Sequence, residues 1–121
     1  MSIKPLTLLS TLVAVIALAA PAFAHHSAAQ FNFQTPKSVD GVVKEVRMAN
    51  PHMRLILNVK DDKGAREIEF EGHSLNNLYR AGWRPDSVKV GDKVTISIAP
   101  RKDGNDGGYV LKVKTPDGKE F

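Results

Sequence analysis

Between residues 53 and 59 the chain alternates without a break: Met53, Leu55, Leu57 and Val59 on one side, Arg54, Ile56 and Asn58 on the other. A period of two over this length specifies a half-buried β-strand, and strands of this kind must find partners before they can bury a face. The same signature recurs on either side. Residues 39–48, VDGVVKEVRM, are rich in β-branched side chains and run into a turn-like Asn50-Pro51. Asp61-Asp62-Lys63-Gly64 reads as a hairpin turn, after which Ile68 and Phe70 point inward along a third strand. Further on, VGDKVTISI supplies a fourth strand with Val94, Ile96 and Ile98 on one face. The glycine-rich residues 103–108 and then Tyr109 lead into a fifth, which runs to Val113.

Only one stretch breaks that period. Ser74 is placed to cap a helix, Leu75, Leu78 and Tyr79 fall at helical spacing, and Gly82 stands where a two-turn helix would stop. Trp83, the single tryptophan, is expected to plug the end of a core. Three strands, a short helix and two strands form the element order of an OB-like barrel: all-β with one short helix, five-stranded and Greek-key. A β-sandwich would need about seven strands and has no place for the helix. Leu55, Leu57, Ile68, Phe70, Trp83, Val94 and Ile96 are the expected core.

The amino-terminal residues carry a different kind of information. Lys4 precedes an uncharged apolar run over residues 6–20, then Pro21 and Ala22-Phe23-Ala24. Small residues at both positions before Ala24-His25 are what a signal peptidase reads, and the run is shorter than the roughly 20 residues of a membrane span. The expected organisation is a signal peptide over residues 1–24, an extended arm over residues 25–36 and a barrel domain over residues 37–121, with a periplasmic or secreted location and no membrane span after cleavage. Removing 24 of the 121 residues leaves 97, enough for one core that buries about two thirds of the surface of its unfolded chain. There is no cysteine, so neither a disulfide nor a thiolate metal site is available. Loss of Lys4 leaves 16 basic against 13 acidic side chains. That mild excess is a matter of solubility, and nucleic acid is not an expected partner outside the cytoplasm.

Cleavage after Ala24 would give His25 a free α-amine, and amine plus imidazole of one residue chelate a single ion. One more imidazole completes three nitrogens, a set that suits copper(II). His26 offers a competing mode through the intervening amide. His52 and His73 fall at the same rim of the barrel by strand order, and an extended arm reaches up to about 40 Å, far enough for His25 to join either. His25, His26, His52 and His73 are therefore the candidate metal residues, with copper(II) ahead of a zinc set made of His25, His52 and His73. No serine stands in a nucleophile motif, no glycine-rich loop precedes a helix, and Glu67, Glu69 and Glu71 read as a solvated strand face. Arg47, Arg54, Arg80, Arg84 and Arg101 could line an anionic groove.

Three stretches carry a family resemblance: HHS at the expected mature terminus, Asn50-Pro51-His52 between the first strands, and SLNNLYRAGWRPDSVKVGDKVTI over residues 74–96. Together they resemble a family of small exported proteobacterial proteins known only as a domain of unknown function. The matching positions in the last stretch are Asn76, Leu78, Arg80, Gly82-Trp83 and Gly91-Asp92. The resemblance implies export and a barrel, and no activity. The chain departs from that pattern at Ala28, Gln30 and Asn32, where an aromatic and acidic residues are usual, and at His73, where a small residue is usual. The expected function is that of a non-enzymatic exported barrel that binds a metal ion or small ligand. The rival is an envelope interaction module for an anionic glycan or a partner protein, and a histidine-brace copper oxidase stands third.

Overall fold

The computed structural model describes residues 28–121, and the cleavage point, His25 and His26 lie outside them. Five strands form a closed barrel in the order β1-β2-β3-β5-β4: β1 (Lys37–Arg47), β2 (Arg54–Asp61), β3 (Gly64–Glu71), β4 (Lys93–Pro100) and β5 (Gly108–Lys114). A single helix of the barrel unit, α1 (Leu75–Arg80), stands between β3 and β4. This is the element order and closure expected from the alternation. No helix among the described residues is long and apolar enough to cross a membrane.

The barrel closes because β1 serves two neighbours. Its first half pairs antiparallel with β4 from Lys37 to Val42, and its second half pairs with β2 from Val42 to Arg47, with a bulge between Val43 and Glu45. A strand that changes partner must bend, and a bulge increases local twist. Gly41 stands at this change, where an added Cβ would lie 3.0 Å from both the Asn58 carbonyl oxygen and the Leu57 Cβ. The strand thus bends around a position with no room for a side chain.

Inside, Leu55, Leu57, Ile68, Phe70, Trp83, Val94 and Ile96 belong to one buried cluster, as expected, and Met53, Val43 and Val113 join them. Ser74 caps α1 by accepting from the Asn77 amide at 3.5 Å, and Gly82 takes the left-handed φ of 95° after the helix. Leu78 is the only buried residue of α1. Tyr79, expected on the same face, is instead 39% exposed under the Arg84 guanidinium, which lies 5.4 Å from the ring centroid. Two turns carry only one side chain into the core, and Trp83 fills the adjoining space with Phe121 packed on it at 5.7 Å between ring centroids. Phe121 also exchanges both backbone hydrogen bonds with Val113 at 2.9 Å, so residues 119–121 lie against β5.

The compact unit begins at Phe31, several residues before the first strand. Phe31 bridges to Arg101, the Asn32 amide donates to the Pro100 carbonyl at 2.8 Å, and Phe31 is 4% exposed. The arm expected over residues 25–36 is therefore docked on the barrel from Phe31 onward, because Phe31 buries a ring there.

Arg66 ties two loops together. Its guanidinium donates twice to Asp61 in the β2–β3 turn, at 2.6 and 3.1 Å, and twice to Asp106 in the β4–β5 loop, at 2.6 and 2.9 Å. Below this clip lies a cavity of about 190 Å³, with Val39, Val59, Ile68, Phe70 and Ile98 among its walls. Hydrogen bonds from Arg66 hold both aspartate carboxyls below their ordinary value of 3.8. A depressed folded-state pKa contributes stability that is fully present above the unfolded value and lost as pH falls through the folded one.

Two outcomes follow from this packing. Phe70→Ala should cost about 3–5 kcal/mol, enough to shift thermal melting of so small a domain drastically or abolish it. Arg66→Ala should flatten the loss of stability below the ordinary aspartate range, which acid titration followed by circular dichroism reads directly.

Candidate functional site

The ladder between β2 and β3 continues one step past the strands: the Gly72 amide donates to the Met53 carbonyl and the Met53 amide to the His73 carbonyl, each at 3.0 Å. This extension brings His52 and His73 to the same end of the barrel, on opposite chains of the ladder. There β3 meets β5 through one parallel pair, Glu71 with Tyr109. Tyr109 is consequently the hub of the site. Its ring centroid lies 5.2 Å from that of His73, 5.5 Å from Phe33, 5.7 Å from Phe31 and 6.2 Å from His52, all tilted or edge-on. Edge contacts of this kind match the positive rim of one ring to the negative face of another.

The two histidines are held differently. His52 Nδ1 lies 2.9 Å from the Gly72 carbonyl oxygen. A carbonyl only accepts, so Nδ1 carries the proton and the neutral ring has its lone pair on Nε2. His73 Nδ1 lies 3.1 Å from the Tyr109 hydroxyl. Both imidazoles therefore reach one tyrosine, as strand order required of residues sharing a rim.

Glu71 is the electrostatic centre below them. One of its oxygens accepts from Arg54 at 3.0 Å, while Oε1 is buried with no hydrogen-bond partner, and the side chain is 11% exposed. Burial raises the Tyr109 phenol above its ordinary pKa, and the Glu71 charge raises it further. Both effects disfavour the phenolate. Glu71 thus does not belong to a solvated face, although Glu67 and Glu69 do: they are exposed partners of Lys44 and Arg54.

Four of the five arginines expected to line a groove already have hydrogen-bond partners, and Arg80 is exposed at the end of α1. Arg47 pairs with Glu45, Arg54 with Glu69 and Glu71, and Arg101 with both oxygens of Asp103, at 3.1 and 2.7 Å. Arg84 donates to the carbonyls of Tyr79 and Trp83. Arg47, Arg54 and Arg101 are thus matched by carboxylates, and the Asp103 carboxyl is held down at about 2 by Arg101. A larger groove, of about 510 Å³, lies elsewhere, between the α1–β4 connection and residues 115–121, and holds no histidine.

Among the described residues no group of three or more histidine, aspartate or glutamate side chains is arranged to hold a metal ion. His52 and His73 supply two imidazoles at the rim, and His25 and His26 lie outside the described residues. Phe31, Phe33, Glu71 and Tyr109 were not candidates from sequence. The available signals were the two-residue spacing of the phenylalanines, which puts both on one side of an extended segment, and the position of Tyr109 directly after Gly107-Gly108.

The model of a protein family of unknown function, DUF6152, matches residues 13–111, and the chain belongs to that family. No curated protein and no solved structure matches the chain.

The tautomer of His52 is open to direct measurement. Long-range nitrogen-15 correlation spectra, recorded where the ring is neutral, should show the Nδ1–H form for His52, and the Nε2–H form there would mean that the bond to Gly72 is absent.

Proposed function

We propose that this barrel is an exported, non-enzymatic binding protein that holds a small ligand at the Tyr109 rim, and that the ligand is copper(II). In this reading a signal peptide over residues 1–24 is removed, and His25 then contributes its terminal amine and its imidazole. His52 supplies the third nitrogen, and His26 competes for the same ion. The observation that carries the reading is the bond from His52 Nδ1 to the Gly72 carbonyl. Fixing one ring nitrogen as a donor to backbone is how proteins orient a metal-binding imidazole and raise the basicity of the other nitrogen. His73, whose Nδ1 lies against the Tyr109 hydroxyl, stands beside this set at the same rim.

A second reading, an interaction module of the cell envelope, draws on a different observation: Phe33 is 43% exposed and lies against Tyr109. An exposed aromatic pair at the mouth of a barrel suits the apolar face of a sugar or a partner's side chain. An anionic glycan would have to displace the carboxylates that already hold Arg54 and Arg101. A partner protein or neutral sugar face needs no such exchange.

The experiment compares the exported protein, a version with one methionine ahead of His25, and His52→Ala, by copper titration and electron paramagnetic resonance. The capped chain should bind more weakly than either other form and change its spectrum, and His52→Ala should alter the spectrum of the native site. Equal affinity and spectrum in the capped chain would end the terminal-chelate reading. Intact mass of the exported protein tests the cleavage at Ala24-His25 on which it stands.

A further inference from the structure

Tyr109 and Tyr79 are the two tyrosines of the chain, and they sit in opposite environments. Tyr79 is exposed beneath a guanidinium, which disfavours any positive charge on its ring. Tyr109 is half-buried, ringed by Phe31, Phe33, His52 and His73, and its hydroxyl lies 3.1 Å from an imidazole nitrogen. Removing an electron from a phenol makes it a strong acid, so a half-buried phenol loses an electron most readily where a base within reach takes its proton at once. His73 Nδ1 is within hydrogen-bond distance to receive it, and His73 itself is exposed, so the charge it gains remains solvated. The nearby Glu71 carboxylate, with its unpartnered oxygen, opposes loss of the proton alone but favours a net positive product.

We propose that Tyr109 and His73 form a proton-coupled one-electron donor, which reduces a high-potential oxidant or radical that reaches the rim. One electron passes from the phenol to the oxidant while the phenolic proton moves to His73 Nδ1, leaving a neutral phenoxyl radical and an imidazolium. An external one-electron reductant and return of the same proton restore the pair. Trp83, the other readily oxidised ring, is 3% exposed within the core and does not meet a diffusing oxidant first. The step uses neither His25 nor His52, so its outcome is independent of the copper titration.

The test uses the full chain, freed of metals with a chelator, and a photo-oxidised ruthenium tris-bipyridine complex as the oxidant. Transient absorption and electron paramagnetic resonance should show a long-lived phenoxyl radical in the native chain and in Tyr79→Phe, and not in Tyr109→Phe. His73→Gln keeps a side-chain hydrogen-bond acceptor but has no basic nitrogen. It should slow radical formation by about a hundredfold, the scale of a lost general base, and remove the solvent deuterium isotope effect. Unchanged thermal melting in both variants shows that the fold is retained. A native-like radical in Tyr109→Phe, or a native rate in His73→Gln, overturns the proposal.

Discussion

A five-stranded sheet becomes a barrel only when its two outer strands find each other, and β3 and β5 do so in parallel, through the pairing of Glu71 with Tyr109. The other four strand junctions have runs of antiparallel pairs, and this one relies on neighbouring contacts to hold it. Gly107 backs onto the Glu69 carbonyl, Arg66 joins the loops below, and Phe31 and the two histidines gather above. The rim is thus as much a closure as a site. The tyrosine that completes the barrel is also the group around which every candidate functional side chain of the described residues is arranged.

This dual role explains how much of the protein could be read from its sequence. Alternation along Met53, Leu55, Leu57 and Val59, the Ser74 cap and the break at Gly82 are local signals, and each has a counterpart in the structure. The sharing of one rim by His52 and His73 followed from strand direction alone. What was not legible is long-range. Nothing near Phe31 in sequence announces that it will meet Tyr109, and nothing near Glu71 announces that a third glutamate in an alternating row will be buried beside a phenol. Tyr79 shows the reverse failure: helical spacing placed it inward, but a two-turn helix had room for Leu78 alone.

Charge in this barrel is spent on its outside and at its loops. Lys44 with Glu67, Arg54 with Glu69 and Arg47 with Glu45 lie along β1, β2 and β3. These three cations are each met by a carboxylate on the barrel's outer surface. The aromatic and imidazole groups are instead collected at the seam, where the backbone of β2 and β3 runs out and ring edges replace strand pairing.

The Arg66 clip ties the joining of two loops to the medium around them. It borders an open cavity whose walls mix apolar side chains with Lys37, Lys63 and Asn105, and the clip itself is a guanidinium between two carboxylates. Such a clip is made of charges near solvent, whose attraction weakens as mobile ions accumulate around them. The β2–β3 turn and the β4–β5 loop are therefore joined by an ionic latch whose tightness follows the ionic strength of the surroundings, whereas the packing of Trp83 on Phe121 owes nothing to charge.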